Sequence, residues 1–233
     1  MAIGPGADAG NVPAADLAAH GCEALASCQA IRRALSHDLR APQSAILALA
    51  ELHLAEPSRL GPEAFVAQLA GYARASLRLT DDVARLVREF GHAYRMEVLE
   101  LTALLREAAG TPWEPEDAGD AAPWPELDLA GRKVWMRGDT AMLSEALRVL
   151  TAQARAAARG GTPMQVRQRI DGRACRVSIV FARGTGAAPG HGAGPSMQYC
   201  RRVVLRHGGA LDLEARAAAD ERVAWHLLLP VLP

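Results

Sequence analysis

Between Leu17 and Phe90, apolar residues return every three or four positions, and the rhythm breaks cleanly at Glu56-Pro57-Ser58-Arg59-Leu60-Gly61-Pro62. Spacing of that kind lays an apolar stripe along an α-helix. Leu17, Leu25, Cys28, Ile31, Leu35, Leu39, Ile46, Leu49 and Leu52 predict one long helix, with Asp16 as its cap. Phe65, Val66, Leu69, Leu77, Val83, Leu86 and Val87 predict a second, from about 62 to 90, with Gly91 as its stop. Two long amphipathic helices joined by a short turn make an antiparallel hairpin. One hairpin offers too little surface to bury both stripes, so a second copy is expected to complete a four-helix bundle. Residues 1–13, rich in Gly, Ala and Pro without period, read as a loose tail.

Beyond Gly91 the texture changes to short segments of the α+β kind. Met96–Leu99 and Val134–Met136 read as strands, and Leu101–Ala109 and Ala141–Ala158 as helices. Thr111–Pro125 reads as an acidic, proline-bearing loop, and Val166–Ile170 and Arg176–Phe181 form a hairpin about Asp171-Gly172. A glycine-rich connection over 183–194, a helix over Met197–Arg206 and a last strand pair, Ala210–Glu214 with Val223–Leu229, complete the chain.

Twenty-six basic residues balance twenty-six acidic ones, which leaves no global electrostatic case for nucleic acid. No apolar run has the length of a membrane helix and the first residues lack a leader pattern, so the chain reads as cytoplasmic. The four cysteines, 22, 28, 175 and 200, include no C-x-x-C pair. They read as small buried hydrophobes rather than a metal site.

The chemistry is concentrated at Ser36-His37-Asp38-Leu39-Arg40-Ala41-Pro42. His37 lies two residues from both Leu35 and Leu39, so it points away from the apolar stripe. A neighbouring carboxylate can hold one ring nitrogen and leave the other nucleophilic. Pro42 should bend or loosen the helix without ending it, because the stripe resumes beyond it.

This heptapeptide, with Ile46 after it, resembles the phosphoacceptor box of two-component sensor histidine kinases. The order of elements resembles that family too, over nearly the whole chain beyond the tail. The resemblance implies a dimerising helical hairpin over 14–91 and an α/β-sandwich of the GHKL ATPase type over 92–233. It implies that His37 takes a phosphoryl group, that Asp38 orients it, and that an aspartate on a response regulator exchanges it. Ala41 departs from the family's Thr or Asn, which positions water for dephosphorylating the regulator.

The nucleotide motifs depart further. The family's two asparagines fall on Val149 and Gln153, and the aspartate that reads adenine falls on Ala182. Gly184 and Gly186 remain in the first glycine box, and Gly192 and Gly194 in the second, but Pro195 and Ser196 follow where an N–H donor and a third glycine belong. Residues 187–191 replace a long ATP lid. The family's cofactors are ATP and Mg²⁺; with these departures no cofactor is assigned and no metal ligand is named. Three functions fit the residues: a phosphotransferase fed by an upstream kinase, an active soluble histidine kinase, and a dimeric scaffold that docks a regulator.

Overall fold

A computed structural model describes residues 25–57, 59–110, 125–159, 162–182, 194–216 and 222–233. Residues 25–33 are α-helical (α1) and lead into a π-helical turn, Ala34–Asp38, after which α2 spans Arg40–Ala55. The chain then turns back into α3, Pro62–Gly91, which packs along α2. Pro62 sits in the first turn of α3, where its missing N–H costs nothing, and the helix ends at Gly91 with His92 as C-cap. The residues of the expected Asp16 cap and of Cys22 lie outside the described residues.

Pro42 loosens the helix as its chemistry requires. Its ring crowds the carbonyl four residues back, that of Asp38, and it brings no N–H to that carbonyl. The chain opens immediately upstream, where the Leu39 N–H reaches the Ala34 carbonyl, five residues back, at 2.9 Å. The turn takes up one more residue than an α-turn, and this corrects the expected stripe. Leu39, Ile46, Leu49 and Leu52 are half-buried, whereas Leu25, Cys28 and Leu35 face solvent. The buried positions before the turn are Ser27, Ala30 and Ala34. Cys28 is therefore an exposed thiol, while Cys175 and Cys200 are buried as expected.

The remainder is a sheet covered by helices. β1 (Glu97–Glu100), α4 (Leu101–Gly110), β2 (Glu126–Asp128), β3 (Trp135–Gly138), α5 (Thr140–Ala157), β4 (Gln165–Asp171), β5 (Ala174–Ala182), α6 (Pro195–Arg206), β6 (Ala210–Arg216) and β7 (Arg222–Pro230) follow in order. β1 and β3 form a two-stranded antiparallel pair. The larger sheet runs β2-β4-β5-β7-β6, with β2 parallel to β4 and every other pair antiparallel. Alternation along the strands sends Val166, Val177, Ile179, Phe181, Trp225, Leu227 and Leu229 to one face. There they join Leu104, Leu105, Leu147, Leu150, Val203 and Val204 of α4, α5 and α6 in a single core. The opposite face carries polar groups such as Ser178 and His226, which share a hydrogen bond of 2.8 Å.

β2 is the strand that sequence patterning does not predict. All three of its residues are exposed, so no alternation marks it, and only its pairing with Gln165–Arg167 defines it. The β4–β5 hairpin closes through Gly172, whose φ of 58° favours glycine. Gly209 is required for another reason: an added Cβ would stand 2.3 Å from the Leu228 carbonyl oxygen, which is backbone and cannot swing away. Gly209→Ala is expected to destabilise the fold by about 1–3 kcal/mol, read as an earlier midpoint in urea unfolding with an unchanged slope.

Candidate functional site

His37 projects from the π turn with its side chain 80% exposed. Its Nδ1 lies 3.1 Å from Asp38 Oδ1, and Arg33 Nε approaches the same oxygen at 3.7 Å. A carboxylate only accepts, so the bond requires Nδ1–H, and the lone pair of the neutral ring then stands on Nε2, facing solvent. The structure thus brings His37 and Asp38 together. Single π turns inside α-helices are frequent at functional positions.

The residues matching the nucleotide motifs are arranged differently. Val149 is buried in the core. Gln153 is half-buried, and its Nε2 donates to Ser196 Oγ at 3.3 Å. Gly194 is the N-cap of α6, and a Cβ there would meet nothing within 4 Å. Gly184, Gly186 and Gly192 lie outside the described residues. Ala182 ends β5, its carbonyl accepting from the Arg159 N–H at 2.7 Å, and its side chain offers no acceptor for a base. Among the described residues, then, the groups present do not fit ATP and Mg²⁺: the metal amide is lengthened and engaged, and the base-reading carboxylate is absent. No group of three or more His, Cys, Asp or Glu among them could hold a metal. A cavity of about 480 Å³ opens elsewhere, lined by Thr102, Arg106, Leu127, Leu129, Arg132 and Lys133 among others, and none of the candidate residues lines it.

What sequence reasoning missed is the contact between the hairpin and the α/β part. α3 packs along α6, and its buried residues are Val83, Leu86 and Glu89. Glu89 is fully buried, salt-bridged to Arg202, with Arg206 at 3.9 Å and the Tyr94 hydroxyl donating at 3.3 Å. Arg85 reaches from α3 to Asp82 at 2.7 Å and to Glu145 of α5 at 2.8 Å. The Ser196 hydroxyl donates to Asp82 Oδ2 at 2.6 Å. A signal for Glu89 exists in the sequence: it follows Val83 and Leu86 at helical spacing, a carboxylate on an apolar face.

The short link after α3 is tied down by a second polar cluster. Asp139 caps α5 through the Met142 N–H at 3.0 Å, and also accepts from the Arg95 N–H at 2.9 Å and from His92 Nε2 at 3.1 Å. Burial works to raise its pKa, but these hydrogen bonds outweigh it and hold the carboxyl below its usual range. The Asp139 N–H donates to His207 Nε2 at 2.9 Å, so His207 is neutral with its proton on Nδ1, directed at the Val203 carbonyl at 2.6 Å. Burial lowers the His207 pKa, against the raising effects of Val203 and Asp139.

No protein-family model matches the chain, and no curated protein matches its sequence. Solved structures do match it. The histidine kinase AdeS of Acinetobacter baumannii is similar at 13% identity, with a TM-score of 0.61, over 84% of this chain and 98% of that one. The histidine kinase ThkA, in its complex with the response regulator TrrA, is similar at 16% identity with a TM-score of 0.67, over 96% of this chain and 68% of that one. Full-length ShkA in complex with AMPPNP is similar at 21% identity with a TM-score of 0.52, over 84% of this chain and 44% of that one. The chain has the fold of these histidine kinases, a helical N-terminal region followed by a mixed α/β domain. Among the described residues no helix is long and apolar enough to cross a membrane.

The lowered pKa values set a pH dependence. A depressed folded pKa contributes stability that is present above the unfolded value and lost as pH falls through the folded one. For His207 the loss begins near the unfolded value of about 6.5, and for Asp139 near about 3.9. Urea-unfolding stability is expected to decline on acidification below about pH 6.5, and His207→Asn should flatten that first limb while leaving the one at lower pH.

Proposed function

We propose that this is a two-component signalling protein in which His37 carries a phosphoryl group and exchanges it with the aspartate of a response-regulator receiver domain, with little or no use of ATP. The observation that carries the reading is the exposed imidazole on a π turn, its Nδ1 tied to Asp38 and its Nε2 free. In the transfer, the Nε2 lone pair attacks the phosphorus of an aspartyl phosphate. The phosphorus–oxygen bond to the carboxylate breaks, and the carboxylate leaves with the electron pair. Asp38, bonded to Nδ1–H, offsets the charge that develops on the ring. The reverse step hands the group to a second receiver. An upstream kinase supplies the phosphoryl group through the first receiver.

Residues 14–91 then serve as the dimerisation and phosphoacceptor unit, and 92–233 as a degenerate ATPase-like unit. A homodimer is supported by the apolar residues that the hairpin leaves exposed, among them Leu47, Leu54, Val66 and Leu77. A receiver partner is supported by the likeness to ThkA, which is seen in complex with TrrA. Ala41 gives the site no side chain to hold a hydrolytic water, which favours passing the group on over discarding it. A cytoplasmic setting agrees with the free thiols of Cys28, Cys175 and Cys200.

The test is transfer of radiolabelled phosphoryl group from a phosphorylated receiver domain. Label is expected on the wild type and not on His37→Ala, and Asp38→Ala should slow transfer roughly a hundredfold. Incubation with labelled ATP and Mg²⁺ should leave the wild type unlabelled; strong label there would replace this reading with that of an autophosphorylating kinase.

A further inference from the structure

The cavity of about 480 Å³ lies between α4, β2 and the connection from β2 to β3, and the phosphoryl exchange at His37 makes no use of it. Thr102 and Arg106 line it from one face of α4, four residues apart. Leu127 lines it from β2. That leucine stands in register with Val166, so it points to the helix-covered side of the sheet, yet it is 41% exposed because the cavity opens over it. Leu129 adds to the apolar lining, and Arg132 and Lys133 bring two more cations from the connection.

The charges around it do not cancel. Glu100, the one carboxylate lining it among the described residues, is taken by Lys133, whose Nζ lies 3.5 Å from Oε2. Arg106 and Arg132 make no ion pair among the described residues. A guanidinium fork matches a phosphate or a carboxylate with two parallel hydrogen bonds, and two such cations on one concave surface focus a positive potential there. The polar part of the wall is fixed in advance. Thr102 is 3% exposed, and its hydroxyl donates to Gln168 Oε1 of β4 at 3.2 Å. The Ala130 N–H donates to the same oxygen at 3.2 Å, so α4, β4 and the connection are tied at one point. With its proton committed, the Thr102 oxygen keeps lone pairs that can accept from a ligand.

We propose that this cavity binds a small organic anion: a phosphate or carboxylate group held by Arg106 and Arg132, an apolar body against Leu127 and Leu129, and an O–H or N–H of the ligand given to Thr102. The volume suits a molecule of that kind, since pockets for small organic ligands run from about 300 to about 1,000 Å³. A bare inorganic ion would use the cations and leave the leucines open to water. The site goes beyond the exchange at His37, and neither His37 nor Asp38 lines it.

The experiment is a calorimetric titration of the full chain with two probes that share a ring and a hydroxyl and differ in the anion, para-hydroxyphenyl phosphate and para-hydroxyphenylacetate. At least one is expected to bind, one molecule per chain, with a dissociation constant of about 1 mM or below. The tighter of the two assigns the anionic group as phosphate or carboxylate. Arg106→Gln and Arg132→Gln should each weaken binding about tenfold. Leu127→Glu, which sets a carboxylate where the apolar body would rest, should abolish it. All three side chains are exposed, so these variants should keep the wild-type midpoint in urea. Arg59→Gln removes an equally exposed cation from the turn of the hairpin and should bind as the wild type does. Failure of both probes to bind overturns the proposal, as does equal affinity in the wild type and both cavity arginine variants, or a loss in Arg59→Gln as large as theirs.

Discussion

A fully buried carboxylate, Glu89, holds the two halves of this molecule in one arrangement. An unpaired charge there would be intolerable, and the loss of one partner from a buried pair costs about 3–5 kcal/mol. Glu89 therefore commits Arg202, Arg206 and Tyr94 to defined positions, and through them commits α6 to α3. The link over 92–96 is fixed on its other side by Asp139, which gathers His92 and the Arg95 N–H while capping α5. His207, accepting from the Asp139 N–H, ties the end of α6 into the same cluster. The hairpin and the sheet are thereby joined by a chain of hydrogen bonds as well as by apolar packing.

The α/β half separates what maintains a fold from what performs chemistry on it. Its sheet and three helices need Leu147, Leu150, Ile179, Phe181, Val203, Trp225 and their neighbours, and all are in place. Nucleotide chemistry needs a handful of polar groups at other positions. Val149 has joined the core, Ala182 presents a methyl group, and Gln153 turns to Ser196. Each of these side chains is accommodated locally by packing or hydrogen bonding, so the fold does not depend on a polar nucleotide-binding group at these positions.

Where local rules decide the outcome, the sequence was legible. The Pro62 start and Gly91 end of α3, the β4–β5 hairpin at Gly172, and the exposure of His37 follow from capping, turn chemistry and period. The class of fold was legible because long-period helices give way to short segments in a recognisable order. Contacts fixed by distant partners were not legible. β2 exists only through its pairing with β4, Asp82 finds Ser196 across 114 residues of chain, and Glu89 finds Arg202 across 113. The phase of the first helix was misjudged for a local reason: period counting assumes 3.6 residues in every turn, and the turn at 34–38 takes more.

That wide turn straightens a surface. Twelve residues separate Leu35 from Leu47, and an unbroken α-helix would set them about 120° apart around its axis. Absorbing one residue at the π turn takes back about 100°, so the two come within about 20° of one another. Cys28 and Leu35 before the turn, and Leu47 and Leu54 after it, are exposed residues that line up as a single apolar seam on a helix otherwise out of step with itself. His37 rides on the splice. Any one-residue deletion that restored a regular helix there would reposition the imidazole and break the seam in the same stroke, so the chain cannot regularise this helix without disturbing both.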